Sequence, residues 1–216
     1  MSPDLHYISD HKSENQVVRR GRPPTATIRM LEAADILFAQ ADGPERVTMD
    51  AIAAACSVGK GTLFRAFGSR AGLLDALWAT KIKALQASVE SGAAPFRQDT
   101  LPQQRLAAFL DLILTFKLDN RHLIRALEFG PGILQSPHYR WMLGVTARCI
   151  EEGTGSPPEG AALYNAHALL AALHIDLIED MLANGLSLDT IREAQTKRAY
   201  MAMNITESDY KTLVRI

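Results

Sequence analysis

The stretch from Val47 to Arg70, VTMDAIAAACSVGKGTLFRAFGSR, constrains this chain more than any other. Thr48 is a helix cap, and Met49, Ile52, Ala53 and Cys56 recur at helical spacing behind it, which predicts a short helix over Met49 to Cys56. Ser57, Val58 and Gly59 then have room only for a tight turn. A second short helix follows from Lys60 to Phe67, with Leu63, Phe64 and Phe67 on its packing side and Lys60, Thr62 and Arg65 on another. Gly68 ends it, and Ser69 caps the next helix. Two short helices across a three-residue turn, the second opening on small and basic residues, make a helix-turn-helix.

A recognition helix enters the major groove end-first, so its first residues must be small, or long and positive. Lys60-Gly61-Thr62 meets that requirement. Lysine neutralises phosphate, glycine lets the backbone approach, and threonine bonds an oxygen or touches a thymine methyl. The competing reading is an ordinary helical hairpin in a helical protein.

Thr48-x-x-x-Ile52-Ala53, then Val58-Gly59-Lys60-Gly61-Thr62-Leu63-Phe64, then Phe67-Gly68-Ser69-Arg70, resembles the DNA-binding signature of the TetR family of bacterial transcriptional regulators. The resemblance covers roughly Thr25 to Leu77. It implies an all-α fold in which an N-terminal three-helix DNA-binding domain joins a helical body that binds ligand and dimerises. It also implies a homodimer on a palindromic double-stranded DNA operator, released by a small-molecule effector. On this basis the expected DNA contacts are Thr48, Lys60, Gly61, Thr62, Phe64, Arg65 and Arg70. Four positions depart from the pattern. Ser57 stands where glycine is usual in the turn, Gly59 where serine is the usual cap, and Phe64 where tyrosine is usual. Two residues on, Ala66 replaces an aromatic or histidine. Phe64 is expected to keep the packing but has no hydroxyl for a phosphate.

The chain has 216 residues and a net charge of −1, so it is not a polycation. Its charge is nevertheless unevenly spread. Arg19 to Arg70 holds eight Lys/Arg against five Asp/Glu, and Ala71 onward fourteen against sixteen, so a mild positive excess sits with the helix-turn-helix. Cys56 and Cys149 lie far apart and read as small buried hydrophobes in a reducing compartment. No apolar run is long enough to span a membrane, and MSPDLHYISDHKSENQ lacks the apolar centre of a signal peptide. The expectation is a cytoplasmic protein with no membrane partner.

Three domains are expected: a polar tail over residues 1–24 ending in a basic arm, the helix-turn-helix domain over 25–70, and the helical body over 71–216. In the tail, Arg19-Arg20-Gly21-Arg22-Pro23-Pro24 reads as a solvated linker or as an arm lying in the minor groove, where Arg20 and Arg22 would fit a narrow, negative channel. Position just before a helix-turn-helix favours the arm. Thr25 to Ala41 is the first helix, with Ile28, Leu31, Ala34, Asp35 and Phe38 along the side that covers the other two. Asp42-Gly43-Pro44 breaks it. A longer helix runs from Ser69 to about Glu90 and joins head to body. Further helices are expected at about 103–118, 120–129, 137–151, 159–183 and 188–203, with a partial turn in the tail. Asn184-Gly185 is a stop, and Ser187 a cap. No strand pattern or internal repeat is present.

The apolar residues of 159–183 (Leu163, Ala166, Leu169, Leu170, Leu173, Leu177, Ile178, Met181) wrap nearly all the way round, and a helix apolar on every side must be buried on every side. A partner subunit is the expected cover, and the family resemblance implies pairing of the last two long helices. Leu169, Ala172, Ile191 and Ala194 are the candidate interface positions. The middle helices carry Phe109, Ile113, Phe116, Trp141 and Val145. Such a stripe is ordinarily core; the resemblance implies a cavity there, with His174 as a polar anchor among Arg125, Glu128, His138, Arg148 and His167. A mostly apolar wall suits a hydrophobic or aromatic ligand.

Enzyme chemistry finds little footing. Gly59-Lys60-Gly61-Thr62 lacks the upstream glycine of a phosphate loop and the Ser/Thr directly after the lysine. There is no Gly-x-Ser-x-Gly, Cys-x-x-Cys or His-Glu-x-x-His, so no catalytic residue, metal site or cofactor is expected. Asp176, Glu179 and Asp180 read as a solvated or interface edge. The nearest rival is a helix-turn-helix protein that organises DNA or answers another protein, without a small-molecule effector.

Overall fold

A computed structural model describes residues 26–41, 43–127 and 133–213. Among the described residues there are eleven α-helices, two 3₁₀ turns and no strand. In chain order the helices are α1 (Ala26–Gln40), α2 (Met49–Ala55), α3 (Lys60–Phe67), α4 (Arg70–Glu90), α5 (Pro102–Asp119), α6 (Arg121–Leu127), α7 (Pro137–Thr154), α8 (Ala161–Ala171), α9 (Ile175–Ala183), α10 (Leu188–Met201) and α11 (Glu207–Leu213). The 3₁₀ turns are Pro44–Arg46 and Ile133–Gln135.

Local chemistry starts four of these helices where the sequence places the starts. Side-chain oxygens of Thr48, Ser69, Ser136 and Ser187 accept from the backbone N–H groups of Ala51, Gly72, Tyr139 and Thr190 at the heads of α2, α4, α7 and α10. Each satisfies an orphan donor at a helix start. Asn184 closes α9, and Gly185 turns the chain with a φ of +92°.

Two apolar cores lie along the chain. The first joins Met30, Leu31, Ala34 and Phe38 of α1 to Met49, Ile52 and Ala53 of α2, Leu63 of α3 and Leu73, Leu74 and Leu77 of α4, with Leu123 of α6 added. The second gathers α5, α7, α8 and α10 around Phe109, Leu110 and Ile113, and it takes Ile82 and Leu85 from α4. One helix therefore enters both cores. Trp78, between its two stretches, packs against each and meets Phe116 with ring centroids 5.4 Å apart.

The buried side of α1 is centred on Met30, Ala34 and Phe38, so Ile28, expected on that side, is 46% exposed. Asp35 falls at the edge of the same side, half-buried, and faces the body. Its carboxylate lies 2.7 Å from Lys81 Nζ on α4 and 3.4 Å from His122 Nε2 on α6.

The expected single helix over 159–183 is two helices. α8 and α9 are bent by 51° at Ala172–His174. No glycine or proline forces the break. Leu173 and Ile175 are both 0% exposed, and residues two apart in an unbroken helix point to nearly opposite sides. The bend lets both reach the core, with His174 in extended conformation between them. The wrap-around apolar pattern is thereby split into two helices, each with one buried side. Leu163 (50% exposed), Tyr164 (75%) and Leu177 (45%) remain outside. No single helix among the described residues is long and apolar enough to cross a membrane.

Candidate nucleic-acid interface

α2 and α3 are held by a turn of backbone hydrogen bonds. Ser57 N–H donates to the Ala54 carbonyl and Val58 N–H to the Ala53 carbonyl, each over 3.0 Å. Ser57 takes the left-handed conformation, φ +56°, that glycine would adopt freely. For a serine this costs about 1 kcal/mol, offset by the packing of Val58 and Cys56 against the head core. Gly59 sits in extended conformation and caps α3 with its carbonyl alone, to the Thr62 N–H at 2.9 Å. A Cβ at Gly59 would meet only Thr62 Oγ1, at 4.0 Å, so the usual serine would fit there. Cys56 is half-buried rather than buried, its thiol turned toward the Arg29 carbonyl, and burial raises its pKa against the opposing pull of Arg29.

One buried side chain, Leu63 at 0% exposed, anchors α3 in the head. Lys60, Gly61, Thr62, Phe64, Arg65 and Ala66 are exposed. Open space surrounds the position a Cβ would take on Gly61, which is the room a closely approaching backbone needs. Phe64 is 39% exposed; it was expected to pack, and instead it presents ring surface outward. Thr48 spends its acceptor on the α2 cap.

Two basic side chains are engaged within the chain. Lys60 Nζ lies 2.8 Å from both carboxylate oxygens of Asp50, in the first turn of α2. Arg70 is half-buried. Its Nε donates to the Val47 carbonyl over 3.0 Å, and its guanidinium carbon lies 5.3 Å from the centroid of Phe38. Arg70, expected as a phosphate contact, is also bound into the head, and Val47, Phe38 and α4 are fixed to one another through it. Arg20 and Arg22 lie outside the described residues, as do the Arg125 side chain and Glu128. Asp50 was not singled out from the sequence. The signal was there: an acidic residue in the first turn of one helix, ten residues before a lysine that opens the next.

In the body, Phe109 and Ile113 are 0% and 1% exposed, and Trp141 meets Phe109 edge-on at 5.5 Å. Phe116 and Val145 are half-buried against the same core. The five expected ligand contacts on the middle helices thus all belong to this one body core or pack against it. His174 is elsewhere in character: it stands at the exposed α8–α9 break, 49% exposed and 3.9 Å from Asp176. His167 is exposed and shares a 2.8 Å hydrogen bond with the hydroxyl of Tyr139. One cleft of about 440 Å³ lies at the head–body joint against Ala39, Leu118, Arg121 and His122. Another, of about 170 Å³, runs between α9 and α10 and is lined by Ala172, Leu177, Met181, Leu186, Ile191 and Ala194 among others. Of the expected interface positions, Ala172 and Ala194 border this outward-facing cleft. Leu169 and Ile191 are only 5% and 4% exposed, in the chain's own core. Gln195 ties α10 to α8 by donating to the Leu169 carbonyl over 3.1 Å.

Residues 30–77 match the family described as bacterial regulatory proteins, tetR family. Two solved structures are similar in fold. A TetR-like transcriptional regulator from Rhodococcus sp. RHA1 is 21% identical, with 84% of this chain and 97% of that one covered and a TM-score of 0.59. A TetR transcriptional regulator from the same organism is 19% identical, with 82% and 95% covered and a TM-score of 0.55. No curated protein matches the chain in sequence. The matched residues are the ones that build the helix-turn-helix, and the fold of the chain is similar to that of these two TetR-like regulators.

Proposed function

We propose that the protein is a cytoplasmic, homodimeric repressor that occupies a palindromic operator and leaves it when a small apolar or aromatic ligand binds among the middle helices. The observation that carries this reading is α4. Its first half lies in the head core and its second half in the body core, so a shift of the body against α4 becomes a rotation of the head. The division taken with it is a basic arm within 1–24, a reading head over 25–70 and a body over 71–216, with α4 as the shaft whose first turns pack back into the head core.

In this reading Lys60, Gly61, Thr62, Phe64 and Arg65 face the major groove, and Arg20 and Arg22 lie in the flanking minor groove. The cleft beside Ala172 and Ala194, together with exposed Leu163, Tyr164 and Leu177, meets the same surface of a second copy. A ligand acts only if it binds one spacing of the two heads better than the other. By linkage, operator must then weaken ligand binding by the same factor that ligand weakens operator binding. Calorimetric titration of a ligand found by thermal shift, with and without an operator selected from random duplexes, tests this. Equal ligand affinity in the two titrations ends the derepression reading.

The close packing of this aromatic core favours a second reading, a DNA-organising or protein-responsive regulator with no small-molecule effector. Phe109 and Ile113 are already covered by their own chain, and Trp141 packs edge-on against Phe109. Absence of any stabilising ligand in a broad thermal-shift screen favours it.

A further inference from the structure

Lys60 opens α3, where the helix dipole disfavours a positive charge unless an anion stands close by. In this structure the anion is Asp50. Both of its carboxylate oxygens lie 2.8 Å from Lys60 Nζ, and the two side chains are 65% and 56% exposed. The turn between α2 and α3 brings the first turns of both helices to the same edge of the head, so the carboxylate occupies a place beside the ammonium that a DNA phosphate would need. Asp50 is itself the second residue of α2, where the dipole favours an acid. Lys60 therefore has a partner before any DNA arrives.

We propose that Asp50 is a specificity-determining residue that withholds Lys60 from sequence-independent binding. The proposal rests on the reading of α3 as the DNA-reading helix. On random sequence the protein sits loosely and phosphate positions vary, so a carboxylate already in hydrogen-bonding reach keeps Lys60. On the operator, base contacts fix the register and hold one phosphate where it displaces Asp50. The pair is solvent-exposed and worth little in itself. Its effect is a few-fold discount, placed on the electrostatic contact that dominates non-specific affinity.

The test uses the full chain and a random-sequence duplex of about 30 base pairs, with binding followed by anisotropy across a range of salt concentrations. Asp50→Asn keeps the shape of the side chain and removes its charge. It should tighten binding to random duplex roughly two- to fivefold and steepen the salt slope by about 0.9, the contribution of one added phosphate contact. In a Lys60→Met background the same substitution should give no such gain, because Asp50 acts through Lys60. Thermal melting of Asp50→Asn checks that the head remains folded, as its exposed position requires. Unchanged or weaker random-duplex binding by Asp50→Asn overturns the proposal. So does an equal gain in the Lys60→Met background, which would make Asp50 a simple repulsive charge. Binding to no duplex by any of the proteins removes the DNA-reading premise, and the proposal with it.

Discussion

Arg70 Nε donates to the backbone carbonyl of Val47, 23 residues earlier, over 3.0 Å. Val47 immediately precedes Thr48, the cap of α2, and Arg70 is the first residue of α4. One side chain therefore fixes the entry of the reading unit to the start of the shaft, with Phe38 beneath the guanidinium. Arg70→Lys keeps the charge but loses the planar fork and the stacking surface. It should cost about 1–2 kcal/mol of stability by urea unfolding, from one charged hydrogen bond and a partly exposed cation–π contact. Full stability in Arg70→Lys, with DNA binding retained, would return Arg70 to the role of a phosphate contact.

Asp35 is the polar counterpart at the other side of the head. It receives Lys81 from α4 and His122 from α6, on side chains 18–30% exposed, and so joins three elements that share no sequence neighbourhood. Asp35→Ala should cost about 1 kcal/mol, as partly exposed pairs do. The loss should be local. Amide exchange in α6 should quicken more than in α8, whose buried residues belong to the other core. Uniform quickening of both would mean the joint is not where this carboxylate acts.

The head was legible almost residue by residue, because its signals are local. Thr48, Ser69 and Gly68 mark helix ends within a few positions of themselves, and the α3 range follows from them. What lies outside that range of influence was not legible. A basic residue after Ser69 reads as a phosphate contact, and nothing near it in the chain says that it also bonds Val47, far back in the sequence. The α8–α9 break has no breaker residue; it exists because Leu173 and Ile175 both find cover in tertiary structure. Leu169 and Ile191 show the same limit from another side. Apolar spacing says that a side chain will be covered, and it does not say whether by its own chain or by a second one. Periodicity likewise groups Phe109, Ile113 and Trp141 without saying whether space is left between them.

Burial raises the pKa of the Cys149 thiol, against the smaller pull of Arg105, and raises those of the Tyr139 and Tyr200 hydroxyls; Tyr210 adds to the last. All three groups are neutral when protonated. The folded chain holds these protons to higher pH than the unfolded chain does, so the stabilisation is complete below the unfolded values. It is lost as pH rises through the alkaline range, from about pH 9 upward. Stability in urea should be flat near neutrality as far as these groups are concerned and should fall there. Cys149→Ala, which removes the most deeply buried of the three, should start lower but decline less steeply. A wild-type stability that rises between about pH 9 and 10.5 would contradict the sign.

The last prediction separates core from interface on the two helices expected to pair. Leu169 is 5% exposed and packed in the chain's own core, with its carbonyl bonded by Gln195. Leu169→Glu places an unpaired charge there, a cost of several kcal/mol by analogy with broken buried pairs. It should therefore unfold the body at any protein concentration, as seen by circular dichroism. Ala194 is exposed and borders the cleft shared with Ala172, Leu177 and Leu186. Ala194→Glu leaves a charge in water in the isolated chain and buries it only if a second copy covers the cleft. Its circular dichroism spectrum should match the wild type, while light scattering should give the mass of a monomer where the wild type gives a dimer. A folded, dimeric Ala194→Glu protein would move the interface away from this cleft, to the exposed side of α8 at Leu163 and Tyr164. Leu163→Glu would then be the variant that dissociates.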